Sequence, residues 1–260
     1  MSAEVRRGAA APRTVTDGRT TVHAFSFGSH YDPTNLGFGP MVCHNDDHVR
    51  PGGGYPDHPH TDLEIVTWVL EGTLTHTDTS AGAGPGAGPG VDLGAGTVQV
   101  TSAGSGIRHS ELVAPGAGPT RFLQVWLRPD TPGSVPRTER TLPDLADTDG
   151  LALVAGPGGL PVGVRGAALY VGRPRDGVPL LLPRAPLVHL YVARGGVDVE
   201  GLEAAGGPEG RGPGRADPAA PGLREGDAWR LRDADERRVT PRGDTELVVW
   251  AFGAAGRSDG

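Results

Sequence analysis

The apolar residues of this chain fall in short runs that alternate with polar residues and end at Gly or Pro. In 121–127, Leu123, Val125 and Leu127 lie on one face of a predicted strand, because successive side chains of a strand point to opposite faces. Further strands are predicted at 65–70, 73–76, 97–101, 187–192 and 246–252. No segment shows a sustained apolar stripe at helical spacing, and 141–149 is at most a short helix. The pattern predicts an all-β protein built of sandwiches or barrels.

A faint internal repeat indicates that the chain contains two similar β-barrels. Two glycine turns followed by a strand with Trp occur at Gly72, Gly96 and Trp126, and again at Gly195, Gly226 and Trp250. We therefore expect a first barrel at 15–135, a Pro- and Gly-rich linker at 136–163 and a second barrel at 164–255.

Composition adds limits on function. Many of the 43 Gly and 25 Pro residues lie in 80–90 and 206–222, which cannot bury apolar area and are expected to be surface insertions of unassigned role. The net charge of -7 gives no reason to expect direct nucleic-acid binding. All 24 basic residues are Arg, which excludes Schiff-base chemistry by a lysine amine.

The chain also lacks the features of a secreted or membrane protein. Cys43 is the single cysteine, so no internal disulfide can form, and it is expected to be a buried thiol. The first residues lack the apolar stretch of a signal peptide, and no apolar run approaches the length of a membrane span. We expect a cytoplasmic protein without a membrane partner.

Two pairs of potential metal ligands share one spacing. His58 and His60 are separated by one residue, as are His109 and Glu111. On strands, each pair points to one side, so two facing pairs bring three imidazoles and one carboxylate together. This donor set suits Fe, Ni, Cu, Zn or Mn better than Ca or Mg and leaves coordination positions for a substrate. The ordinary alternative, exposed histidines in loops, requires two coincidences.

Other residues near these pairs have competing interpretations. Glu64 is the main rival for the carboxylate position, although a solvated Glu at a strand edge is its more ordinary role. His44 and His76 are expected at the surface or behind a ligand imidazole, which one of them could orient. The run 45–47 is expected to be a turn, and 104–106 a tight bend before His109.

The repeat also predicts which barrel holds the metal. The offsets of the four candidate ligands from their glycine anchors, transferred to the second half, lead to Leu181, Pro183, Val239 and Pro241. None of these side chains binds metal, so we expect a metal site in the first barrel alone.

Several motifs resemble the pirin family. They are FSFGSHYD at 25–32, NDD at 45–47, HPHTDLEIVT at 58–67, LEG at 70–72 and SAGSGIRHSE at 102–111. The resemblance is strong over the first half and weak over the second. It implies a bicupin, that is, two cupin-type antiparallel barrels with metal in the N-terminal one. It also implies that His58, His60, His109 and Glu111 are the ligands, with Fe(II) the first choice and Zn, Ni, Cu, Mn or Co as alternatives.

Three functions are compatible with this resemblance. The first is a dioxygenase that opens a quercetin-type flavonol with O2, in which Glu111 is a ligand or the general base for the flavonol hydroxyl. The second is a non-enzymatic metal- or redox-sensing regulator that binds a transcription factor or metabolic enzyme. The third is a metal held only for stability, which the lack of cysteine ligands disfavours. We expect a monomer.

Overall fold

The computed structural model describes residues 2–80, 90–145, 150–200, 222–233 and 236–253. Within these ranges the chain forms strands and one 3-10 turn, Gly8–Ala10, and contains no α-helix. No helix in the described ranges is long and apolar enough to cross a membrane. The two Gly/Pro-rich insertions lie almost wholly outside these residues, as do 146–149 of the predicted short helix.

The described residues form nineteen strands. In chain order they are β1 (Ser2–Arg6), β2 (Arg13–Val15), β3 (Arg19–His23), β4 (Met41–Val49), β5 (Gly54–His60), β6 (Glu64–Glu71), β7 (Thr73–Asp78), β8 (Val91–Gly94), β9 (Val98–Ser102), β10 (Ile107–Val113), β11 (Thr120–Leu127), β12 (Arg137–Thr141), β13 (Ala152–Ala155), β14 (Ala167–Gly172), β15 (Leu180–Leu181), β16 (Leu187–Val199), β17 (Leu223–Arg224), β18 (Ala228–Arg232) and β19 (Arg238–Phe252). All the named strands pair antiparallel.

The first half consists of two facing sheets. One has seven strands in the order β12-β9-β6-β11-β4-β3-β2, and the other has four in the order β5-β10-β7-β8. Alternation along β11 separates the two faces of the larger sheet. Gln124 and Trp126 face the small sheet, whereas Leu123, Val125 and Leu127 belong to the apolar core shared with the second half. The first barrel therefore has polar side chains such as Gln124 in its interior, beside a separate apolar cluster that includes Val69, Leu74 and Phe122, and it has an apolar outer face.

The second half is organised around two long strands, β16 and β19, in a sheet of eight strands that also includes β1 from the N-terminus. Register shifts near Val192 and Arg194 interrupt the pairing of β16 with β19. The cluster enclosed by this half is apolar and includes Leu190, Val239 and Leu247. The interior of this half is mainly aliphatic, whereas the first barrel combines an apolar cluster with buried histidines and carboxylates.

The two halves share one apolar core rather than packing as separate bodies. Val66, Trp68 and Val125 of the first half lie in the same buried cluster as Val248 and Trp250 of the second. A buried hydrogen bond also joins the halves, because the Trp68 indole donates to the Glu246 carboxylate over 2.8 Å. The interval 136–163, expected as a linker, contains β12, which pairs in the first half, and β13, which pairs in the second.

The internal repeat is present in the backbone. Gly72 and Gly195 both have positive φ angles, of 76° and 68°. The amide of Gly96 donates to Val69 over 2.8 Å, and the amide of Gly226 donates to Val192 over 2.8 Å. The anchor glycines thus occupy equivalent turns. β5 and β10 pair His58 with His109, whereas β15 and β19 pair Val239 with Leu180, one residue from the transferred position Leu181.

The predicted strands are all present, and several extend further than the apolar pattern indicates. The turn expected at 45–47 is wrong, because these residues lie inside β4 and are buried. Their side chains are polar, and they are buried against other polar groups in the first barrel and against charged groups between the two halves. The bend at 104–106 is confirmed, with positive φ angles at Gly104 and Gly106.

Candidate metal centre

The candidate ligands lie on two paired strands of the small sheet. On β5, His58 is the cross-strand partner of His109 on β10, and His60 is the partner of Ile107. The pairs His58 and His60, and His109 and Glu111, each alternate with a residue that points away from the barrel interior. All four side chains face the interior of the first barrel, although the pairing of β5 with β10 shifts register between His109 and Glu111.

The three imidazoles converge at one point. The Nε2 atoms of His58 and His109 are 3.0 Å apart, and the candidate ligand atoms of His58, His60 and His109 lie within 4.8 Å of one another. Two imidazole ligands at ordinary metal–nitrogen distances and a right angle would be about 2.9 Å apart. The spacing of His58 and His109 therefore matches that of two ligands on one ion.

The protonation of these rings also suits a metal. The Nδ1 atom of His58 lies 2.7 Å from the Pro56 carbonyl, so it donates there and leaves the Nε2 lone pair free for coordination. Burial, together with the neighbouring imidazoles, lowers the pKa of His60 to about 4 and that of His109 to about 3. Both are neutral at neutral pH, and the buried Nε2 of His60 has no hydrogen-bond partner. The donor atoms fit a transition metal.

Glu111 lies on the inner side of His109. It is buried, and its carboxylate accepts hydrogen bonds from the Gln124 side-chain amide over 2.6 Å and the Thr67 hydroxyl over 3.3 Å. Its ligand atom lies within 4.8 Å of those of His109 and His76. The four predicted residues therefore meet in two overlapping groups that share His109: the three imidazoles toward β5, and Glu111 with His76 toward β7.

Sequence reasoning underestimated His76. It is buried on the strand next to His109, the second of the two places expected for it, and its Nε2 donates to Asp78 over 2.8 Å, while its buried Nδ1 has no partner. Hydrogen bonds from His76 and Ser80 outweigh the effect of burial and hold the pKa of Asp78 below its ordinary value. The signal was available, since His76 and Asp78 repeat the i, i+2 spacing on the strand next to His109.

Two other candidates lie outside the site. Glu64 is on the outer face of β6, where its carboxylate accepts hydrogen bonds from the Ser102 hydroxyl over 2.8 Å and the Gly163 amide over 2.9 Å. It is 2% exposed, so the expectation of a solvated strand-edge Glu is also wrong. His44 is buried between the halves beside His189, with ring centroids 5.1 Å apart, and does not orient a ligand.

Aromatic side chains border the partly exposed imidazole of His60. The ring centroid of Trp126, which is partly exposed, lies 5.0 Å from that of His60 and 5.4 Å from that of Phe27. Tyr31 is 73% exposed and, with Phe25, lines a cavity of about 530 Å³ to which none of the four candidate ligands contributes.

Comparison with known proteins identifies the family. The family model described as Pirin matches residues 4–127. The Mycobacterium tuberculosis protein Rv0181c, named as a candidate quercetin 2,3-dioxygenase, is 36% identical over 257 residues, which cover 96% of this chain and 95% of that protein. The chain belongs to the pirin family. Quercetin 2,3-dioxygenase of Escherichia coli K12 is 40% identical to this pirin over 118 residues, which are 45% of this chain and 48% of that protein.

Solved structures agree with this assignment. The Escherichia coli pirin YhhW, crystallised with nickel(II), superposes on this pirin with a TM-score of 0.80 at 26% identity, over 97% of this chain and 100% of that one. Oxalate decarboxylase from Lactobacillus farciminis matches at 14% identity with a TM-score of 0.61, over 96% and 86% of the two chains, and this likeness concerns the fold alone. The predicted all-β bicupin class is confirmed.

Proposed function

We propose that this pirin is a metal-dependent dioxygenase that opens the ring of a quercetin-type flavonol with O2. The observation that carries the proposal is the convergence of three imidazoles in the first barrel, with 3.0 Å between the Nε2 atoms of His58 and His109. Membership of a family whose relatives carry the name quercetin 2,3-dioxygenase gives the reaction class.

We further propose that His58, His60, His109 and Glu111 hold one divalent ion, with Fe(II) the first choice. The nickel(II) in the YhhW crystal belongs to that protein and is consistent with a site that accepts several transition metals. When bound, the ion would supply a Lewis acid for an anionic substrate oxygen and a redox partner for O2.

In this proposal the side chains prepare the site for the flavonol. The lowered pKa values of His60 and His109 keep both rings neutral, so the imidazoles do not repel a cation. Glu111 is held by two donors with its oxygens accepting, and it can take the proton that the flavonol 3-hydroxyl loses on binding. The apolar core of the second barrel offers no donor set of this kind among its described residues.

Flavonol absorbance tests the proposal directly. Iron-loaded protein should bleach quercetin in air and not under nitrogen, and His58→Ala should lower turnover by about 100-fold or more, because it removes a donor from the site. His48→Ala, which alters a half-exposed histidine outside both ligand groups, should retain activity. Turnover that survives anaerobiosis or His58→Ala would refute the assignment. Metal binding without any flavonol turnover would instead favour the regulator.

A further inference from the structure

A directed hydrogen-bond chain joins the aromatic border of the site to Glu111. The Trp126 indole N–H donates to the side-chain carbonyl of Gln124 over 3.0 Å. The Gln124 amide nitrogen then donates to Glu111 over 2.6 Å. Gln124 and Trp126 are two residues apart on β11, so both side chains face the interior of the first barrel.

This chain of hydrogen bonds runs in one direction, from Trp126 through Gln124 to Glu111. An indole N–H can only donate, so it fixes the carbonyl end of the Gln124 amide toward Trp126. The NH2 end must then face Glu111, because the opposite orientation would place two acceptor oxygens together. Gln124 is 3% exposed, which leaves no solvent to compensate a flipped amide. Trp126 thus determines how Gln124 presents its donor.

The Trp126 end of this hydrogen-bond chain is where a ligand can contact the protein. Trp126 is partly exposed and meets His60 edge-on at an interplanar angle of 71°. Phe27, on its other side, is stacked on His23 at 4.9 Å and 10°. The His23 ring is itself fixed on both nitrogens, by Thr14 over 2.8 Å and Asn45 over 2.9 Å. The aromatic wall, Trp126 with Phe27, is therefore packed against the hydrogen-bonded His23 ring and borders the imidazole of His60.

We propose that Gln124 is a positioning residue that aims the Glu111 carboxylate at the metal centre, and that Trp126 both orients Gln124 and packs against the substrate ring. The wall suits a flat aromatic substrate, since its exposed surface is itself aromatic and its polar edge is already paired. The substrate part rests on the proposed activity, whereas the Gln124 part rests only on the proposed ligand role of Glu111.

Metal affinity tests the Gln124 part without any activity measurement. Co(II) titration of the full chain, followed by its visible spectrum, should give a Kd for Gln124→Met that is roughly 10- to 100-fold weaker than for the unaltered protein, the usual effect of removing a partner of a ligand. Trp126→Phe keeps the ring but loses the N–H, so it should weaken Co(II) binding in the same direction by less.

Gln99→Met is the matched control. Gln99 is also a buried glutamine of the large sheet, and its side-chain oxygen has no hydrogen-bond partner. Gln99 and Gln124 are both cross-strand partners of Thr67 on β6. Gln99 lies on β9 and Gln124 on β11, the two strands that flank β6. The Gln99→Met variant should bind Co(II) within about threefold of the unaltered protein. Equal Co(II) affinities for the unaltered protein, Gln124→Met and Gln99→Met would overturn the positioning role. Equal weakening by both Met variants would also overturn it.

Quercetin binding under nitrogen tests the wall. Trp126→Leu should raise the Kd of quercetin by about tenfold or more, and Trp126→Phe by no more than about threefold, because only the former loses the aromatic face. Unchanged affinity in Trp126→Leu would overturn this part. If the unaltered protein neither binds nor consumes quercetin, the proposed function and the wall fail together, and the Co(II) comparison still decides the role of Gln124.

Discussion

Asp47 shows how burial inside the first barrel changes the pKa of a single carboxyl group. It is fully buried, accepts hydrogen bonds from the Thr21 and Tyr55 hydroxyls, and keeps one carboxylate oxygen without a partner. Burial raises its pKa from 3.8 to about 7, and the two hydroxyls and Arg19 offset part of this effect. Below about pH 7 a carboxyl in this position is mainly protonated.

Stability should therefore fall with rising pH between about pH 4 and pH 7 on account of this residue. Over that window the folded protein binds a proton at Asp47 that the unfolded chain has released. From pH 5 to pH 7, Asp47→Asn should remove about 2 kcal/mol of the decline in the free energy of unfolding, as measured by urea denaturation at each pH. Asp17→Asn, at an exposed position, should leave the decline unchanged. Parallel pH profiles for Asp47→Asn and the unaltered protein would contradict the prediction.

The ligand residues themselves could be predicted from the sequence because strand alternation is a local rule. The spacing of His58 with His60 and of His109 with Glu111 fixes a common face wherever the strands pair. Gln124 and Asp47 could not be predicted in this way. Their roles depend on which strand of the large sheet faces β10, and residues far apart in the chain determine that.

At the scale of elements, Gly54 allows β5 to approach β10. It has a φ of +135°, and a Cβ at this position would lie 2.2 Å from the Glu111 carbonyl oxygen. The pairing of β10 with β5 also shifts register between His109 and Glu111. The close approach at Gly54 thus lies next to the register shift between His109 and Glu111, the two candidate ligands on β10.

Gly54→Ala should therefore push β5 away from β10 and separate His58 from His109. We expect Ni(II) affinity, measured by calorimetry, to fall about tenfold or more, together with a lower Tm. Gly52→Ala is the matched control, because Gly52 also has a positive φ, +78°, but a Cβ there meets nothing within 4 Å. It should cost about 1 kcal/mol of backbone strain and leave Ni(II) affinity unchanged. Similar Ni(II) affinities for Gly54→Ala and Gly52→Ala would contradict this role of Gly54.

The strand pattern predicted the elements but not their lengths. The apolar runs at 187–192 and 246–252 mark only parts of β16 and β19, which continue to Val199 and back to Arg238. The pairing is interrupted at polar and glycine residues such as Arg194 and Gly196, where no apolar alternation remains to be recognised. Sheet pairing extends these strands beyond what their local sequence indicates.

At the scale of the whole molecule, the two halves use the same turns for different interiors. The first encloses histidines and carboxylates beside a small apolar cluster, whereas the second encloses mainly leucines and valines. Leu180 and Val239 are paired in the second half, as His58 and His109 are in the first. The shared core holds both halves together. The repeat was visible in the sequence, whereas this shared core was not, because its members come from both halves.

The central claim is that one metal centre, built around His109, lies in the first half. Its most direct test is the metal stoichiometry of the full chain, measured by elemental analysis after loading with Fe(II) under nitrogen and removal of free metal. We predict about one ion per chain for the unaltered protein and almost none for His109→Ala, because His109 belongs to both ligand groups. An unchanged stoichiometry in His109→Ala, or two ions per unaltered chain, would contradict the account.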